Sequence, residues 1–316
     1  MNMASRKVIV FGPTGAVGSA AARTAEELGA KVILAMRDTE KSIPGLNAEK
    51  EKQGSFERVH ADLTKPDTVR DAVKTTRAKY AFIYRAHGTP DNMKSTIEAL
   101  KSAGIDLVVF LSSFTVRGDP AAIQPSEVIP YVHAQVEINL GEIFGTDGFV
   151  AVRPGSFASN TLQYKAGLEK GEVKIHMPDA KVDCIVPEDI GRVCGRVLAK
   201  GPQNEQRAIY LYGPELLSQT DSVRILAKAL GKNPKIETAN EQDAYKMFIE
   251  ERGVPVPIAK YMIRQAGKTV TEQSQVFGVF GYPVSEEQLS NVQKYSGRKG
   301  TTFEEWVEQN KQMFVS

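Results

Sequence analysis

The chain reads as an α/β protein, a Rossmann-type doubly wound parallel sheet with a smaller, mainly helical C-terminal substrate region. Three observations predict it. Short apolar runs alternate with helical stretches through the first half. A glycine-rich turn, Gly12-Pro13-Thr14-Gly15-Ala16-Val17-Gly18, follows the first run directly. The fifth run, Leu107 to Leu111, is almost purely apolar, as a strand covered on both faces must be. Such alternation calls for parallel strands with crossover helices on both faces. Ligands then belong at the carboxyl ends of the strands.

Val8-Ile9-Val10-Phe11 is the first strand. Gly12, Gly15 and Gly18 stand where a side chain would collide with a bound pyrophosphate or the packed strand. The helix opening at Ala16 and Val17 offers unpaired N–H groups and a partial positive charge to a phosphate, and Thr14 completes the turn. An alanine-rich helix, Ala20 to Leu28, and a second strand, Lys31 to Met36, supply the context that dinucleotide binding requires. That strand ends Leu34-Ala35-Met36-Arg37, with no acid at its tip and Lys41 one helical turn later. NAD-selective sites place a carboxylate there for the ribose 2′-hydroxyl, whereas two converging cations suit a 2′-phosphate, so NADP(H) is the cofactor expected. The simpler alternative is that Arg37 and Lys41 are solvated surface charges.

The third strand, Glu57 to His60, leads into Asp62-Leu63. Asp62 either accepts a hydrogen bond from an adenine amino group or caps the turn before Thr64 and Pro66. A helix around Thr68 to Lys74 precedes the fourth strand, Tyr80 to Tyr84, which Arg85 follows. A helix from Met93 to Ser102 stops at Gly104, and the fifth strand ends in Ser112 and Ser113. A helix from about Ala134 to Phe144 leads to the sixth strand, Phe149 to Val152, and then to Arg153-Pro154-Gly155. Arg37, Asp62, Arg85, the two serines and this last triplet therefore share the sheet's carboxyl edge with the glycine turn.

Residues 1–155 are expected to form the NADP(H)-binding domain and 156–316 the smaller substrate side, with 182–212 returning to the sheet. Ser156 to Gly171 should close over the nicotinamide, with Phe157, Leu162 and Tyr164 as pocket walls or as ordinary core. Ile209 to Gly213 reads as a late strand. Ser218 leads a helix to Leu230, Lys235 to Glu237 begins another strand, and 241–275 is helical with a break at Val254-Pro255-Val256-Pro257.

Composition bounds the function. The 316 residues carry 40 Lys and Arg against 38 Asp and Glu, with no basic arm for nucleic acid or membrane. The longest apolar runs are strand-sized, too short to span a membrane, and Met1 to Lys7 lacks a signal peptide's apolar core. Cys184 and Cys194 are too few for a disulfide framework or a zinc site, and four scattered histidines make no metal cluster. A cytoplasmic protein acting on a small molecule is the expectation.

The chain resembles the NmrA-like group of atypical short-chain dehydrogenase/reductases, related to isoflavone reductases. The resemblance rests on glycines 12, 15 and 18, Arg37, Asp62-Leu63, Leu111-Ser112-Ser113, Arg153-Pro154-Gly155-Ser156-Phe157 followed by Asn160, Pro187-Glu188-Asp189-Ile190-Gly191 and Phe303-Glu304-Glu305-Trp306-Val307. Their order covers nearly the whole chain. It implies an adenine contact for Asp62, NADP selection by Arg37, and a cofactor site that also takes in Leu63, Arg85, Ser112, Gln135, Pro154 and Phe157.

Catalysis is where the chain departs from that pattern. In standard relatives a Ser positions the substrate carbonyl, a Tyr exchanges a proton with it, and a Lys four residues later lowers the phenol's pKa. Ser113 and Tyr131 align with the first two, but Gln135 stands in the lysine position. A phenol titrating near ~10 is a poor proton exchanger at neutral pH, and losing tuned acid–base help slows chemistry by about 10² to 10⁴. His133 could take over the proton transfer or be a hydrogen-bonded structural residue. Three readings follow: an NADP(H)-dependent reductase of an apolar, possibly aromatic carbonyl, enone or quinone, with Tyr131, His133 or water as proton source; a non-catalytic NADP(H) sensor acting on a regulatory protein partner; or a tailoring enzyme of a fungal-type aromatic-polyketide pathway, using the fold for a different reaction.

Overall fold

The computed structural model describes residues 5–268, 278–279 and 282–315. The end of the helical stretch expected over 241–275 and the start of the chain, Met1 to Ala4, lie outside them. Six strands alternate with helices: β1 (Lys7–Phe11), α1 (Ala16–Glu27), β2 (Lys31–Met36), α2 (Ala48–Gln53), β3 (Phe56–His60), α3 (Pro66–Thr76), β4 (Tyr80–Tyr84), α4 (Lys94–Ala103), β5 (Leu107–Leu111), α5 (Val128–Phe144) and β6 (Phe149–Pro154). After them come α6 (Lys165–Lys170), β7 (Glu172–His176), β8 (Lys181–Val182), α7 (Pro187–Lys200), β9 (Ala208–Leu211), β10 (Leu217–Ser218), α8 (Gln219–Ala229), β11 (Lys235–Ala239), α9 (Glu241–Lys246), α10 (Val256–Lys268), α11 (Glu286–Ser296) and α12 (Phe303–Gln309).

The main sheet has seven parallel strands in the order β3-β2-β1-β4-β5-β6-β9. Its centre is apolar on both faces because successive side chains point to opposite sides. Val8, Val10, Val32 and Leu34 face α1, α7 and α11. Ile9, Phe11, Ile33 and Ala35 face α3, α4 and α5. A separate core joins β7, β8, α8 and α12, where Trp306 stacks on Phe303 with ring centroids 6.0 Å apart.

Helix α1 is rich in alanine because α7 lies almost against its backbone. A Cβ on Gly191 would stand 2.5 Å from Ala20 Cβ and from the Val17 carbonyl; one on Gly195 would stand 2.5 Å from the Ala21 carbonyl. The two glycines belong to the segment that carries the chain back to β9, so this contact closes the sheet's last crossover.

Helix α5 starts at Val128, earlier than the Ala134 read from the sequence. Pro130 looks like a stop signal, but it falls in the first turn, where the N–H it lacks has no intrahelical partner. Tyr131 N–H already donates to the Glu127 carbonyl at 2.8 Å. Helices α2 and α6 and strand β7 are each five or six residues long, too short for a sequence period to show. The helical break expected at Val254–Pro257 falls slightly earlier, over 252–255, between a π-helical turn, Met247–Glu251, and α10, which Val256 and Pro257 open.

Asp183 ties the smaller part to the sheet edge. Its Oδ1 accepts the Ser156 N–H at 2.7 Å and its Oδ2 the Gly213 N–H at 3.0 Å. Burial pushes its carboxyl up to about 7 against the pull of those donors. Gly155 has no room for a Cβ beside this carboxylate, since one would sit 2.5 Å from Oδ1.

The α1–α7 contact predicts that Gly195→Val lowers stability by about 1–3 kcal/mol, the usual cost of overpacking a dense interface. Urea unfolding would measure it; an unchanged midpoint would mean the helices separate without penalty.

Candidate cofactor and substrate site

The turn after β1 is held by its own backbone. Gly12 has φ +70°, its N–H donates to the Ala35 carbonyl at 3.0 Å, and its carbonyl accepts Gly15 N–H at 3.1 Å. A Cβ on Gly18 would run into the Gly12 carbonyl, so that glycine serves the chain itself. Gly15 differs. It is exposed, and a Cβ there would meet nothing nearer than the Gly12 carbonyl at 3.6 Å. As the N-cap of α1 it supplies no side-chain acceptor, and the first turn contains no acid. The turn thus leaves N–H groups and open space for an anion. Thr14 is half-buried and Ala16 exposed beside it, whereas the Val17 side chain is core, so only its backbone is available.

The ends of β2, β3 and β4 bring Arg37, Asp62 and Tyr84 together around Gly12. Tyr84 was not singled out from the sequence. Its ring covers the turn closely enough that a Cβ on Gly12 would lie 2.6 Å from Tyr84 Cε1. Burial raises its phenol's pKa, Arg37 pulls it down and Asp62 pushes it up, which places both charges near the ring. An aromatic residue closing an otherwise buried strand was the available signal. Arg37 and Lys41 are both exposed. Asp62 Oδ1 accepts the Thr64 N–H at 2.9 Å and the Thr64 hydroxyl at 2.8 Å, so it caps its own turn. Burial works to raise its carboxyl, but the Thr64 donors, Arg37 and Lys65 together hold it below the usual range. Leu63 is core, and its carbonyl accepts the Thr96 hydroxyl at 2.8 Å.

At the ends of β5 and β6 the two serines part ways. Ser112 is buried and donates to Glu137 Oε1 at 2.5 Å. Arg153 grips the same carboxylate through Nε at 3.1 Å and through its terminal nitrogen at 2.5 Å, and also donates to the Tyr210 hydroxyl at 2.7 Å. Tyr210 in turn donates to the Val116 carbonyl at 2.8 Å. Ser113 instead faces a cavity, with its Oγ 2.8 Å from the Thr115 hydroxyl.

Helix register decides the rest. On α5, Ile129, His133 and Glu137 recur every four residues on the side turned to the sheet, together with buried Pro130, Ala134 and Leu140. Tyr131 and Gln135 also lie one turn apart, but on the opposite stripe, with Glu142. The helix therefore keeps the aligned pair adjacent, half-buried, on the stripe opposite Glu137. His133 Nδ1 donates to the Ile129 carbonyl at 2.8 Å. Burial, then Arg85 and His87, lower the imidazole's pKa more than the Ile129 carbonyl and Glu137 raise it, so the ring is neutral at pH 7. Arg85 has its guanidinium lowered by burial and lies 3.0 Å from His87 Nδ1.

The cavity has a volume of about 460 Å³ and opens between the carboxyl ends of β5 and β6, the π-helical turn and α10. Its walls include Phe114, Phe157, Tyr164, Val182, Phe248 and Met262. Pro154 is buried within β6, immediately before the Gly155-Ser156-Phe157 wall. Glu127, just before α5, holds α10 in place by accepting from Arg264 and Gln265, each at 2.8 Å. Cys184 also lines it, but burial pushes its thiol up to about 12, too high for a nucleophile. Among the described residues no cluster suits a metal ion, and no helix is long and apolar enough to cross a membrane.

The geometry accords with what known proteins display. The chain is 38% identical to a "Nitrogen metabolite regulation-like protein bik4" of Gibberella fujikuroi, over 95% of each chain. It is 24% identical to a "(4-alkanoyl-5-oxo-2,5-dihydrofuran-3-yl)methyl phosphate reductase" of Streptomyces griseus, covering 98% of this chain and 99% of the other. The crystal structure of an Escherichia coli NADPH-dependent quinone oxidoreductase complexed with NADPH shares the fold with a TM-score of 0.72 at 18% identity, over 96% of this chain and 99% of that one. The NmrA-like family profile matches residues 4–307. With the glycine turn, the parallel sheet and the cavity at its carboxyl edge in place, the chain belongs to the NmrA-like family.

Proposed function

We propose that the protein is an NADP(H)-dependent reductase of apolar, conjugated carbonyl compounds, enones or quinones. The observation that carries this reading is the continuity of the carboxyl edge: an open phosphate turn and an acid-free β2 tip bearing Arg37 lead to an apolar cavity whose polar mark at the sheet is the Ser113–Thr115 hydroxyl pair. The dinucleotide fits on this chain's own terms, because Gly15 leaves space where a pyrophosphate needs it and α1 offers uncapped N–H groups. When bound, NADPH supplies a hydride. Ser113 hydrogen-bonds the carbonyl oxygen that gains charge, and the aromatic walls hold the flat conjugated body of the acceptor. The chemistry of the Streptomyces griseus relative, whose named substrate ring carries a carbonyl conjugated to a double bond, accords with this choice.

The proton explains why a conjugated acceptor suits the site better than a simple ketone. Reduction of a ketone leaves a strongly basic alkoxide that needs a tuned acid at once. Reduction of a quinone leaves a phenolate of ordinary pKa near ~10, and of an enone an enolate, each of which water can protonate after the hydride has moved. Tyr131 lies on the far stripe of α5 and His133 is neutral and bonded to Ile129, so water fills the proton-source role.

A second reading has its own support. A site without a charged tyrosine partner, in a relative of a nitrogen metabolite regulation-like protein, suits an NADP(H) sensor that signals to a regulatory protein. NADPH binding without oxidation across a panel of quinones and enones would favour the sensor.

Three outcomes test the reading. Gly15→Val is expected to fold as the native protein does and to lose NADPH binding, because its side chain fills ligand space rather than chain space; unaltered NADPH titration would refute the phosphate turn. Arg37→Ala should weaken NADPH by roughly 10- to 150-fold, the loss of one charge-assisted contact, and hardly affect NADH. Equal weakening of both would remove the case for the 2′-phosphate. In steady-state kinetics Ser113→Ala should lower quinone turnover by roughly 100-fold, as loss of an oxyanion donor does, and Tyr131→Phe should leave it unchanged. A collapse of turnover in Tyr131→Phe would show that the phenol reaches the substrate after all.

A further inference from the structure

The cavity lining includes a cation, Arg252, that the reductase reading does not use. Arg252, directly after the π-helical turn, lines the cavity beside Phe248, with its guanidinium carbon 5.1 Å from that ring's centroid. Its hydrogen bond among the described residues goes to a neutral amide, Gln163 Oε1, at 2.6 Å. Burial lowers its pKa, partly offset by Tyr164 and Glu251, and Glu251 is itself exposed. The adjacent Tyr164 hydroxyl is committed elsewhere, donating to Gln219 Oε1 at 2.9 Å, while Gln219 donates to the His176 and Met177 carbonyls.

A guanidinium stays charged at any physiological pH and presents five donors. Placing one partly out of water beside apolar walls is costly unless an anion meets it. Other cations of the chain obtain that partner from the protein: Arg153 has Glu137, Arg58 has Glu51 and Arg264 has Glu127. Arg252 has an amide that occupies one of its nitrogens, with the cavity in front of it.

We propose that the cavity takes conjugated carbonyl compounds that also carry an oxygen anion, a carboxylate or an ionised phenol, and that Arg252 is the residue that selects them. The inference rests on the cavity being the substrate site and names the class of substrate. The carbonyl sits at the Ser113–Thr115 end and the anion at the Arg252 end, so the cation also fixes which way round the molecule enters. An aromatic or conjugated body spans the apolar walls between them.

The test reads binding directly, so it does not depend on turnover. NADPH-saturated protein is titrated calorimetrically with para-carboxybenzylideneacetone and its methyl ester, and with lawsone, an ionised hydroxynaphthoquinone, and its methyl ether. In the native protein at least one anion should bind roughly 10- to 150-fold tighter than its neutral partner. Preference in the first pair identifies a carboxylate, in the second an ionised phenol. Arg252→Gln should erase the preference and leave the neutral partner's affinity unchanged, and Arg252→Lys should retain part of it. Neutral partners binding as tightly as both anions in the native protein, failure of all four to bind, or a preference that survives Arg252→Gln would overturn the proposal. Should Arg252→Gln fail to fold, the native comparison and Arg252→Lys decide. An Arg252-dependent preference without NADPH oxidation would instead leave this inference standing and remove the reductase reading.

Discussion

The buried pair of Arg153 and Glu137 is the interaction on which the carboxyl edge depends. Both side chains are almost fully enclosed, and the guanidinium engages both carboxylate oxygens. Taking two charges out of water is costly, and leaving one without its partner would cost about 3–5 kcal/mol, so β6 and α5 are held in one relative position. The pair also claims the Ser112 hydroxyl and, through Tyr210, reaches β9 and the Val116 carbonyl. Ser112 becomes structural, Ser113 remains available, and the helix stripe bearing Ile129, His133 and Glu137 must turn toward the sheet. Tyr131 and Gln135 fall on the opposite, half-buried stripe for the same reason.

Glycines along the dinucleotide side divide by what they make room for. Gly18 and Gly191 admit backbone and helix, and Gly12 admits the Tyr84 ring. Gly15 is open instead: a Cβ there would meet nothing nearer than the Gly12 carbonyl at 3.6 Å. The same distinction separates charged residues. Asp62 is occupied with Thr64, while Arg37 and Lys41 remain exposed at the tip of β2. Tyr84 lies beside these groups, with its ring over Gly12.

The cavity's chemistry follows from burial. Two ionisable groups of its lining are pushed toward their neutral forms, the Cys184 thiol and the Tyr164 phenol, both upward. Neutral groups of this kind exchange protons poorly at pH 7. Arg252 is the exception, because a guanidinium keeps its charge where other groups lose theirs.

The sequence by itself determined the parallel sheet, the glycine turn and the acid-free tip of β2, because these depend on local rules: apolar runs of strand length, glycine where no side chain fits, and charge at a strand end. It also carried the family resemblance through the order of its motifs. Short elements such as α2 and β7 were not legible, having too few residues for a period to show. Only the tertiary structure decided which of two adjacent serines is buried, which stripe of α5 faces the sheet, and that Arg252, far from the motifs in sequence, reaches the cavity. The Tyr131–Gln135 spacing is a property of one helix, whereas its direction is set by a salt bridge to another strand. A spacing of four residues specifies a shared stripe but not its azimuth, and that azimuth depends on partners distant in the chain.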